Sequence, residues 1–163
     1  MTEYEYDTDM TSDILIYNIL QNTEDEFIQK CNIKFIDKSV PAQEDDTIYI
    51  ANVDLENREE SFDGTEYIAL VNIYVKTKDT DYLNGSRFLR TVIKHIKHVL
   101  KNNSDCRDRY IKFRNIRYEY GSGYTLKGLH LLVQLFEMEH DDLDEESTCL
   151  NITADDLEID LTQ

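Results

Sequence analysis

Between residues 84 and 103 the chain reads NGSRFLRTVIKHIKHVLKNN, and its apolar positions recur with the period of a helix. Phe88, Leu89, Val92, Ile93, Ile96, Val99 and Leu100 fall at three- and four-residue steps and share one face. Arg87, Arg90, Lys94, Lys97 and Lys101 repeat at the same steps and line another side. Lys101 also suits the negative C-terminal end of the helix dipole. The polar segment KDTDYLNGS before this helix is read as a turn.

Upstream, Ser12 is the expected N-cap of a helix starting at Asp13, whose carboxylate suits the positive helix end. Ile14, Leu15, Ile16, Ile19 and Leu20 bury a broad face of it. Thr23 with Glu26 three residues on has the form of a capping box for a second start carrying Phe27, Ile28 and Cys31. One kinked helix or two short ones fit equally. NIKFID then alternates through Ile33 and Phe35, and TIYIANV, after Pro41, through Ile48, Ile50 and Val53. The polar stretch LENREESFDGTE, with its Phe62-Asp63-Gly64 turn signal, is expected to be a loop between strands. YIALVNIYVKTK is almost continuously apolar, which predicts a central strand covered on both faces.

In the C-terminal half, RYIKFRNIRYEY and YTLKGLHLLVQLFEME flank Gly121-Ser122-Gly123 and predict a hairpin. A change of phase near Asn115 predicts a bulge. HDDLDEESTC has the composition of a solvated linker, after which alternation resumes at Leu150 and Ile152, then Leu157, Ile159 and Leu161. Those strand-like runs are expected to pair with the parent sheet or with the sheet edge of a neighbour. The element order α-β-β-β-α-β-β predicts an α+β fold. Its sheet is mostly antiparallel and packs against one long amphipathic helix and an N-terminal helix. One domain spans 1–140, and an acidic linker and strand-like arm span 141–163.

Charge sharpens this picture. The 163 residues carry 34 acids against 17 Lys and Arg, a formal net charge of −17. From Lys76 to Lys127 there are thirteen cations and five acids, whereas no Lys or Arg follows Lys127 and Glu137 to Asp160 holds eleven acids. Acidic ends around a basic middle imply complementarity, within one chain or between copies. So acidic a chain opposes direct nucleic-acid binding. The cationic stripe is either a solvated face or a docking face for an acidic protein surface, the nearest being another copy of the chain.

Other chemistries lack support. No apolar run can span a bilayer, and the acidic MTEYEYDTDMTSD lacks the order of a signal peptide, so a soluble cytosolic chain is expected. Cys31, Cys106 and Cys149 show no CxxC spacing and are read as reduced thiols. There is no phosphate loop, dinucleotide fingerprint or nucleophile elbow. His95 and His98 share the helix with Lys94 and Lys97, which would repel a metal, and His130 has no evident partner. Asp45-Asp46 and Asp141-Asp142 sit in solvated segments. A non-enzyme without metal or cofactor is expected.

The order of a leading helix, strands, the long strand EYIALVNIYVKT, the amphipathic helix GSRFLRTVIKHIKHVL and the closing hairpin IRYEYGSGYTLKGLHLLVQLFEM resembles that of tail terminator proteins of long-tailed bacteriophages. The likeness is one of layout over about residues 12 to 140. The extended arm after residue 140 and the high acidity depart from a minimal member. The resemblance implies a ring, usually of six subunits, that caps the tail tube at the head-proximal end of the virion tail and is assembled in the host cytoplasm. Its partners would be further copies, the tail tube protein and a head completion or connector protein. DNA would pass through an acidic channel without specific binding. Arg87, Arg90, Lys94, Lys97 and Lys101 are then expected to meet a neighbouring subunit or the tube, and Leu157, Ile159 and Leu161 to supply apolar burial. Another head-to-tail connector protein remains open, as does an acidic DNA-mimic inhibitor, although a mimic gains nothing from a cationic helix.

Overall fold

The computed structural model describes residues 11–36, 46–79 and 81–140. Helices α1 (Ser12–Asn22) and α2 (Glu26–Gln29) lead into strands β1 (Asn32–Phe35), β2 (Thr47–Ser61) and β3 (Gly64–Lys76). Helices α3 (Tyr82–Lys101) and α4 (Ser104–Asp108) follow, then β4 (Lys112–Tyr120), a short 3-10 turn and β5 (Leu126–His140). The strands form one sheet in the order β1-β2-β3-β5-β4. The fold is α+β with a mixed sheet: β1 runs parallel to β2, and the other three pairs are antiparallel. Among the described residues, no helix is long and apolar enough to cross a membrane.

One face of the sheet holds the core. Ile48 and Ile50 of β2, Val71, Ile73 and Val75 of β3, and Leu129, Leu131, Val133 and Leu135 of β5 pack with Ile16 and Leu20 of α1 and with Leu89, Val92, Ile93, Ile96 and Leu100 of α3. On the other face of β3, Tyr74 is buried while Ile68, Leu70 and Asn72 are half-buried. The expected cover on both sides of that strand is therefore only partial among the described residues.

Helix starts depart from expectation because their caps come from other places. α1 begins at Ser12 itself, and Thr11 makes no side-chain cap bond. The Ser12 amide instead donates to Glu137 Oε1 on β5, and Arg109 Nη1 donates to Ser12 Oγ at 3.2 Å. A carboxylate from 125 residues away thus serves the positive helix end. α3 starts at Tyr82, because Asp81 caps it by accepting from the Asn84 amide at 2.9 Å. The turn before it is correspondingly shorter than KDTDYLNGS.

The capping box expected at Thr23 and Glu26 does not form. Asp25 is the N-cap of α2, accepting from the amides of Phe27 at 3.0 Å and Ile28 at 3.1 Å. Its second oxygen lies 2.7 Å from His95 Nδ1 on α3, so one carboxylate ties two helices together. Burial acts to raise the Asp25 pKa, but His95 and the two amides outweigh it, and the group ends below its ordinary 3.8. A depressed folded pKa stabilises above the unfolded value and loses that contribution as pH falls through the folded one. Asp25→Ala should therefore cost about 1–2 kcal/mol near neutrality. The gap to wild type should narrow as the pH drops below 3.8. Urea titrations of both proteins at the two pH extremes check this, and a gap of constant size would contradict it.

The largest correction concerns β2. LENREES is not a loop: β2 continues to Ser61 against β3, with Ser61 opposite Gly64. Register shifts make Val53 and Arg58 the extra residues of two bulges. Both faces of this extension are open to solvent, so no alternation marks it in the sequence. The bulge expected near Asn115 is present, with Arg114 as the extra residue of β4. The arm with Leu150, Ile152, Leu157, Ile159 and Leu161 lies outside the described residues.

Candidate functional site

At about 100° per residue, the five cations of α3 occupy a sector of roughly 80° on one flank of the helix. Lys97 is nearest the sheet, with Nζ 5.7 Å from the ring centroid of Phe113 on β4. His95 points the other way, to Asp25 and to the Phe27 ring at 4.5 Å. The stripe therefore leans toward β4, the last strand of the sheet. Arg87, Arg90, Lys94 and Lys101 are exposed, and Lys97 is half-buried. β4, at that edge of the sheet, carries exposed Lys112, Arg114 and Arg117, with Lys112 and Arg117 on the face away from the helices. The ion pairs found among the described residues are Arg58–Glu66, Asp25–His95 and Glu119–His130, and none engages the stripe.

The opposite side of the sheet is acidic. β1 covers β2 only from Thr47 to Ile50. Beyond that point Asp54, Glu56, Glu59 and Glu60 are exposed, and Arg58 is held by Glu66. Val53 and Leu55 on this edge are 59% and 48% exposed, which matters because apolar positions on a sheet edge favour pairing.

A third feature, not read from the sequence, sits on the sheet face away from the helices. Asn72 Nδ2 donates to His130 Nδ1 at 3.0 Å, which leaves Nε2–H to donate to Glu119 Oε2 at 3.1 Å. The Tyr74 ring stacks on His130 with centroids 4.1 Å apart. Burial tends to raise the Glu119 pKa, yet the Tyr74 hydroxyl and His130 turned toward it outweigh burial and hold it below its usual range. Burial, reinforced by Glu119, pushes Tyr74 upward, and its hydroxyl is buried without a hydrogen bond of good geometry. The cluster borders a concavity of about 630 Å³ with Asn115, Arg117 and Leu132 in its wall. Both imidazole nitrogens are engaged, and among the described residues the wall carries no Ser, Thr or Cys. This arrangement braces β3, β5 and β4 together. The sequence signal was Asn72, a polar residue inside an apolar strand, which demands a partner when buried.

The thiols of Cys31 and Cys106 are free and buried, and burial pushes them up to about 12 and about 11. At neutral pH both remain protonated and unreactive. Of the sequence-identified residues, the structure brings the five α3 cations together and joins them to β4. Leu157, Ile159 and Leu161 lie outside the described residues. No protein-family model matches the chain, and no curated protein matches it closely.

Proposed function

We propose that the chain is a structural subunit that assembles with copies of itself into a ring. Such a ring would terminate the tail tube of a long-tailed phage and offer the surface for head joining. The observation that carries this reading is the separation of charge onto opposite sides of the subunit. A basic flank of α3 and β4, without acid partners among the described residues, stands across the sheet from an acidic β2 edge. A surface of this kind is complementary to its own copy when subunits meet head to tail, and that mode of contact closes into rings. The long amphipathic helix supplies the basic flank. The acidic arm, through Leu157, Ile159 and Leu161, supplies apolar burial between copies or on the tube protein. Excess acid beyond the interfaces lines the channel and repels passing DNA.

Each exposed ion pair contributes only about 0.2–1 kcal/mol, so charge fixes register while apolar burial holds the ring. Native mass spectrometry should show a closed species near 115 kDa, about six chains of 19.2 kDa. Arg90→Glu with Lys94→Glu should weaken assembly about tenfold or more at low salt, since two repulsions replace two attractions. The difference should shrink as screening grows. An unchanged mass at low and high salt would sink the role given to the stripe. Antibody-labelled electron microscopy of purified tails tests the location: label at the head-proximal end supports a terminator, and label elsewhere overturns it.

A further inference from the structure

Resting on the ring reading, we infer that neighbouring subunits join by strand addition, with the outer edge of β4, unpaired among the described residues, in one copy pairing with Asp54–Asn57 of β2 in the next. β4 ends the sheet, and β2 is unpaired by β1 beyond Ile50. Between its two bulges β2 is regular over Asp54–Asn57, and β4 is regular over Asn115–Glu119. The two stretches are of similar length, four and five residues, and they match face for face. Leu55 lies opposite Ala69 and Ile116 opposite Leu131, so both apolar side chains stand on the helix-bearing face. Leu55 and Ile116 are 48% and 46% exposed, so each lacks full cover among the described residues of one subunit. Asp54 and Glu56 lie opposite Leu70 and Ile68, and Arg117 opposite His130, so these charges share the other face. Joining the edges places Leu55 by Ile116 and Asp54 and Glu56 by Arg117 without turning either strand over.

Direction agrees as well. Three antiparallel pairings separate β2 from β4, so the two strands run oppositely. A neighbour related by rotation about an axis along the strands therefore presents β2 antiparallel to β4. Pairing of two β2 edges about Leu55 would set Asp54 against Glu56, whereas β2 against β4 joins acid to base, which favours the head-to-tail contact that closes on itself.

The test uses full-length variants and native mass. Arg117→Glu alone, and Asp54→Lys with Glu56→Lys alone, should each weaken association about tenfold or more. Mixing the two should restore assembly, because each variant then supplies the edge that the other lacks. As a control on folding, Leu55→Cys with Ile116→Cys in a Cys149→Ser background should give a covalent ladder on oxidation, and neither cysteine alone should. Wild-type assembly that all these changes leave untouched overturns the edge pairing while the ring stands. A wild-type chain that is monomeric at every concentration also overturns the pairing, and tail labelling then decides the ring reading by itself.

Discussion

Gly128→Ala should destabilise the protein by about 1–3 kcal/mol, the usual range for overpacking a filled site. Gly128 lies opposite Lys76 on β3 and opposite Glu119 on β4, and the Tyr74 ring crosses directly over it. A Cβ there would collide with two atoms of that ring and would approach the Val75 carbonyl oxygen to 2.6 Å. The ring cannot swing aside freely, because it is stacked on His130 with an interplanar angle of 6°. The carbonyl belongs to the central strand and cannot move without disturbing the β3–β5 ladder. Gly121→Ala is the control: its Cβ would meet only the flexible end of Lys127, so a change within about 0.5 kcal/mol is expected. Thermal melts of the two variants check the contrast. Equal melting points would mean that the Tyr74 ring is not fixed over Gly128.

Ile96→Ala should cost more, about 2–5 kcal/mol, as large-to-small changes in a closed core do. Ile96 is fully buried at the centre of the apolar face of α3, flanked by Val92, Ile93 and Leu100. Deleting its outer carbons leaves a void that rigid neighbours on α3 and the sheet fill only in part. Lys94→Ala, two residues away but exposed, should change stability by no more than about 0.5 kcal/mol. Denaturant titration separates the two: the midpoint should fall for Ile96→Ala with little change of slope. A similar, small shift for both would contradict the burial of this face.

The features that a local pattern could reveal were those whose physics is local. The period of Leu89, Val92, Ile93, Ile96 and Leu100 marks α3 because one side of it meets the core. Gly121-Ser122-Gly123 and the phase change near Asn115 mark the β4–β5 hairpin and its bulge for the same reason. What stayed hidden depends on distant partners. The α1 cap is Glu137, and no spacing connects it to Ser12. β2 beyond Val53 has no buried face, so LENREES carries a loop's composition while its backbone pairs with β3. The parallel direction of β1 is a property of topology, since alternation is blind to strand direction. The candidate surface was half legible. Its five cations could be placed on one side of a helix, but only the sheet order shows that this side adjoins β4 and faces away from the acidic edge.

The strand order also has a kinetic meaning. β2–β3 and β4–β5 are each local hairpins, whereas their junction, β3 against β5, joins Lys76 to Gly128 and Gly64 to His140 across the whole of α3, α4 and β4. Closing so long a loop expends chain entropy before any central ladder bond repays it. The two hairpins and α3 rest on local contacts, whereas docking of the halves carries the largest loop-closure cost. Until then the edges of β3 and β5 that become the middle of the sheet are bare, so the chain is most open to pairing with the wrong copy of itself just before it becomes able to pair with the right one.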